Sequence, residues 1–136
     1  MSTLHERVFA EVENIQSTLS LIPSRPIESL SALELAGIGS ILHSFYNGIE
    51  NILKQIYKNS HQSLPTGQNW HKDLLLGVPL SQELLRELTP FLAFRHFFNH
   101  AYALDLDYQK LIPLIESSMT IFKIFCQEVF QLIEEK

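Results

Sequence analysis

The 136-residue chain is 46% hydrophobic and 18% charged, enough apolar content for one domain that buries its own core without disulfide or metal staples. Its formal net charge of -5 argues against a protein whose main work is broad electrostatic attraction to nucleic acid, since that leaves a basic face. The one cysteine, Cys126, cannot form an internal disulfide, which points to a reducing cytosol, and in IFKIFCQEVF it reads as a small core residue.

From the N-terminus, MSTLHERVFAEVENIQ mixes acids and bases with apolar residues at helical spacing, so it does not read as a signal peptide. No window approaches the roughly 18 uncharged apolar residues of a membrane span. A cytoplasmic protein without a membrane partner is expected. Leu4, Val8, Val12, Ile15, Leu19 and Ile22 form one apolar stripe opposite Glu6, Glu11 and Glu13, which predicts a first helix closed by PSRP at 23 to 26. A second, the longest, begins near Ser31, whose hydroxyl can cap while Glu34 answers three residues later. Leu33, Ile41, Phe45, Ile49, Ile52 and Ile56 carry its stripe toward Asn59. Gly37, Gly39 and Gly48 interrupt it, each costing up to about 1 kcal/mol against alanine, and are expected to admit a closely packed neighbour.

NSHQSLPTGQN, 59 to 69, is the clearest loop, and WHKDLLLGV is a short helical segment after it. Ser81 can cap the next helix, which runs through Leu84, Leu85, Leu88, Phe91 and Leu92 toward Phe98, with Pro90 expected to kink or interrupt it. A last helix is predicted from about Asp107 to Glu134, with Pro113 tolerable if the regular helix begins close to it. No strand pattern and no repeat stands out. The fold class is all-α, an antiparallel four- to five-helix bundle forming a single domain over 1–136.

Polar side chains interrupt the aromatics of FRHFFNHAY, residues 94 to 102. His96 and His100 are the one histidine pair at i, i+4, and neither HExxH nor a cysteine pair occurs, so no metal and no cofactor is called for. GIGS at 37 to 40 and the DLD of Asp105 and Asp107 imitate a nucleotidyltransferase loop and its carboxylates. They lie mid-helix and far apart instead of on a loop and an adjoining strand, and Asp107 is better explained as a helix cap.

There remain Arg95 and His100. Their spacing alone is a weak signal, because five steps of about 100° put the side chains roughly 140° apart on a continuous helix. A kink at Pro90, a helix end near His100 or a second subunit would bring them together. Chemically the pair suffices for a nuclease that needs no metal. RNA carries its own nucleophile in the 2′-hydroxyl, so such an enzyme requires a proton-transfer group that works near pH 7 and a cation for the phosphorane charge. Arginine suits the second role through its planar, permanently charged fork. His96 and Asn99 are supporting candidates, and the Tyr102 phenol can contact a base or phosphate or accept a modification.

FRHFFNHAYALDLDYQKL, 94 to 111, resembles the HepT toxins of the HEPN superfamily of all-α domains: arginine, a polar residue, three variable positions, histidine, and a tyrosine two residues on. Arg95, His96, His100 and Tyr102 stand at those positions. YNGIENILKQIY at 46 to 57 and NWHKDLL at 69 to 75 extend the likeness over most of residues 28 to 111. The resemblance implies a HEPN-type bundle and a metal-independent ribonuclease toxin of a type II or type VII-like toxin–antitoxin system. It would be active as a homodimer, with transfer RNA a plausible substrate and DNA not expected. A nucleotidyltransferase antitoxin would silence it by transferring AMP to Tyr102. The alternative is a non-catalytic HEPN module that binds the nucleotidyltransferase.

Overall fold

The computed structural model describes residues 3–100 and 107–134. Among them are five α-helices and no strand, an all-helical arrangement of the HEPN bundle kind. Helix α1 spans Leu4–Leu19, α2 Ala32–Asn59, α3 Trp70–Leu76, α4 Gln82–His100 and α5 Tyr108–Glu134.

Two helices begin on reciprocal capping boxes, which satisfy amides that a helix start leaves orphaned. At α1, Glu6 N–H donates to the Thr3 hydroxyl (3.1 Å) and Thr3 N–H to the Glu6 carboxylate (3.2 Å). At α2 the Ser31 and Glu34 box expected from sequence forms, with Glu34 N–H donating to the Ser31 hydroxyl at 3.1 Å and Ser31 N–H donating to the Glu34 carboxylate at 3.0 Å, and the second of these bonds holds the Glu34 carboxyl below its usual range. Arg25 pairs with the same carboxylate. The first helix stops at Leu19, short of the predicted Ile22, because Pro23 disfavours helical backbone at the residue before it. Ile22 still packs against the core from outside the helix. A single 3₁₀ turn, Ile27–Ser29, fills the connection.

α2 is the central element, in contact with each of the other four helices. Its buried stripe comprises Leu35, Ile38, Leu42, Phe45, Tyr46, Ile49, Ile52, Leu53 and Ile56. Leu33, assigned to that stripe from sequence, is 83% exposed: at about 100° per residue it lies roughly 160° around the helix from Ile49, on the face opposite the core. The glycines divide. A Cβ at Gly48 would overlap the Ile15 side chain, so here a glycine does admit α1, whereas a Cβ at Gly37 would meet nothing within 4 Å. Gly39 is buried.

Pro90 neither ends nor splits α4, which is helical from Gln82 to His100. Its missing N–H costs one bond to the carbonyl four residues back, and packing of Leu88, Phe91 and Phe94 into the core holds the helix through the gap. The start of α4 is tied to α5, because Ser81 donates its N–H and hydroxyl to the Glu128 carboxylate at 2.7 and 2.6 Å while accepting from Leu84 N–H. Asp107 caps α5 by accepting from Gln109 N–H at 3.0 Å. Because α5 begins at Tyr108, Pro113 falls in its second turn and not at its first position. No helix of the described residues is long and apolar enough to cross a membrane.

Candidate active site

The second half of α4 and the segment that enters α3 enclose an open cleft of about 660 Å³. Arg95, His96, Asn99 and His100 line it from α4; Asn69, Trp70, His71 and Lys72 line it from the other side. Four of the sequence candidates therefore share one cavity on an unbroken helix. Arg95 and His100 both reach it although they leave α4 in different directions. Tyr102 and Asp105 lie outside the described residues.

Arg95 is fixed by partners from other helices. Its Nε–H donates to Asn47 Oδ1 at 2.9 Å and lies 3.2 Å from Glu50 Oε1, both on α2. Its Nη1 faces His71 Nε2 at 3.4 Å. The Glu50 side chain is 3% exposed, and such burial is tolerable for a carboxylate only when it is paired and hydrogen-bonded. Glu50 meets that condition twice, because its second oxygen, Oε2, accepts from His71 Nδ1 at 2.6 Å. Glu50 thus bridges Arg95 and His71 and sets the histidine tautomer: with the proton on Nδ1, the Nε2 of the neutral ring is left as an acceptor beside the arginine. Trp70 stacks on the His71 ring at 3.5 Å between centroids, and the Lys54 ammonium sits 4.8 Å from the Trp70 ring centre.

A second chain of bonds runs along α2 to the end of α4. Since Asn47 Oδ1 accepts from Arg95, its Nδ2 is the donor to His43 Nδ1 at 3.4 Å. His43 Nε2–H in turn donates to Asn99 Oδ1 at 2.9 Å. Phe98 packs beside His43 at 5.0 Å. Asn99 therefore connects to Arg95 through two side chains of α2. His96 and His100 meet edge to face, 4.9 Å between ring centres, both on the exposed side of α4. Beneath the cleft, Tyr46 is fully buried and its hydroxyl has no hydrogen-bond partner among the described residues. Desolvation and the nearby Glu50 charge push its phenol well above the ordinary tyrosine range, with Arg95 opposing them.

Asn47, Glu50, His43 and His71 were not singled out by the sequence. Glu50 carried a readable signal nonetheless: it stands four residues after Tyr46 and three before Leu53, so a carboxylate lies on the buried face of a long helix. Among the described residues no group of three or more His, Cys, Asp or Glu side chains is arranged to hold a metal ion.

No curated protein and no solved structure matches the chain. The model of a family described as HepT-like protein matches residues 37–135, from the second turn of α2 through α5, and so takes in Asn47, Glu50, His71, Arg95 and His100. That family is generally of the HEPN nuclease type and its members are in general paired with antitoxins. The chain belongs to the HepT-like family of HEPN proteins.

Proposed function

We propose that the protein is a metal-independent ribonuclease toxin, a single HEPN domain over 1–136 that works in the cytoplasm as a homodimer. Arg95 stabilises the phosphorane charge, His100 transfers a proton, and His96 and Asn99 support them. Its substrate is RNA, with transfer RNA the first to try. A nucleotidyltransferase antitoxin silences it by moving AMP onto Tyr102. The observation that carries this reading is the fixed guanidinium of Arg95 in a cleft that also holds histidines. An arginine whose Nε is anchored by Asn47 and Glu50 is oriented before substrate arrives, which is what electrostatic stabilisation of a transition state requires. AMP on Tyr102, seven residues along the chain from Arg95, would add bulk and negative charge near the phosphate site.

The test is RNA cleavage by the purified protein in EDTA, with 2′,3′-cyclic phosphate ends expected. His100→Ala should slow it by about 100-fold or more; full activity of that variant would remove His100 from its role. Stable binding to the nucleotidyltransferase without any RNA cleavage would favour the non-catalytic module. Tyr102→Phe should remain toxic when the antitoxin is co-expressed. An AMP mass gain persisting on that variant would place the acceptor elsewhere.

A further inference from the structure

We propose that His71, oriented by the buried carboxylate of Glu50, is the general acid that protonates the 5′-oxygen leaving group, an assignment that rests on the ribonuclease reading above. His71 lies outside the stretch that holds Arg95 and His100, on a different helix, yet lines the same cleft. Its ring is fixed on two sides: Glu50 Oε2 holds Nδ1 at 2.6 Å, and Trp70 covers a face at 3.5 Å. A histidine oriented by a carboxylate in the wall of a cavity is a proton-transfer arrangement. The side chain is 25% exposed, enough to meet a ligand in the cleft.

The neighbouring charges favour the acid role over the base role. In the neutral ring the Nε2 lone pair faces Arg95 Nη1 at 3.4 Å and is not free to take a proton from a 2′-hydroxyl. Once His71 is protonated, Nε2–H and the guanidinium N–H both need an acceptor, and an oxygen placed between them satisfies both. Glu50 offsets the charge of Arg95, so the proton on His71 gives the trio a net positive charge that matches a phosphodiester. His100, whose ring meets His96 on the exposed side of α4, then serves as the base. The 2′-oxygen attacks phosphorus while its proton passes to His100. The bond from phosphorus to the 5′-oxygen breaks, and the His71 Nε2 proton moves to that oxygen. A 2′,3′-cyclic phosphate and a 5′-hydroxyl result, and water returns a proton to His71 and removes one from His100.

The experiment uses an RNA oligonucleotide spanning the mapped cut site, with either the natural 5′-oxygen or a bridging 5′-sulfur there, because a thiolate leaves without protonation. His71→Ala, and His71→Gln, which keeps an N–H for Glu50 but no titrating proton, should be about 100-fold slower than wild type on the oxygen substrate and within about fivefold on the sulfur one. His100→Ala should be slow on both. Equal slowing of both His71 variants on the two substrates, or no slowing on the oxygen substrate, overturns the assignment while leaving the ribonuclease reading intact. Wild-type protein that cleaves no RNA overturns that reading, and the assignment falls with it.

Discussion

Glu50 is the residue on which the site depends most. A carboxylate buried to 3% exposure has lost its hydration, and among the described residues Arg95 and His71 compensate for it. Glu50→Ala should therefore lower unfolding stability by about 3 kcal/mol, because it leaves Arg95 without its counter-charge and His71 Nδ1 without its acceptor. Denaturant titration measures this, and a cycle with Arg95→Met should show the double variant much less destabilised than the sum of the singles. Additive losses would mean that the two side chains do not act as a unit. Arg95, His96 and His100 were legible because they sit within one short stretch of sequence. The trio of Glu50, His71 and Arg95 was not, since it joins three helices and no spacing rule connects residues 50, 71 and 95. The segments holding Glu50 and His71 did stand out, as YNGIENILKQIY and NWHKDLL, but likeness of a segment does not say which side chain in it faces the arginine.

Helix boundaries were readable wherever a local rule governs them. Ser31 with Glu34, Ser81 with Leu84, and Asp107 with Gln109 all form the caps their residue types allow. Other expectations failed at particular residues. Leu33 is apolar yet lies on the face of α2 opposite the buried stripe, and Pro90 sits in a helix that its neighbours hold together. The glycines of α2 show the same division. Gly48→Ala drives a methyl into Ile15 and should destabilise by about 1–3 kcal/mol as α1 and α2 are forced apart. Gly37→Ala meets open space within a helix and should stabilise by up to about 1 kcal/mol. Thermal unfolding of the two variants should move in opposite directions; a loss of stability in Gly37→Ala would imply a close neighbour that the structure does not have.

Across the whole molecule, a net charge of -5 has to be reconciled with the RNA phosphate proposed as its ligand. The cleft differs from the chain: Arg95 and Lys72 line it together with three histidines and no acid is among its lining residues, although Glu50 behind Arg95 offsets that charge and leaves Lys72 the uncompensated cation among the described lining residues. The acids instead cap helices, as Glu6, Glu34 and Asp107 do, or tie elements together, as Glu128 does. A field confined to one concave site can hold a phosphate without a basic face, because low-dielectric walls concentrate it locally. Overall composition averages this contrast away, which is why charge counting argued against nucleic acid while the local motif argued for RNA. The consequence is a shallow dependence of binding on salt. With at most two cations per protomer and one or two protomers at the cleft, log K for single-stranded RNA should fall against log salt with a slope no steeper than about -3. Fluorescence anisotropy with His100→Ala, in which cleavage should be slow on the time of the measurement, gives that slope between roughly 50 and 200 mM salt. A slope steeper than about -5 would require a wide basic surface, and the RNA would then be held by something other than this cleft.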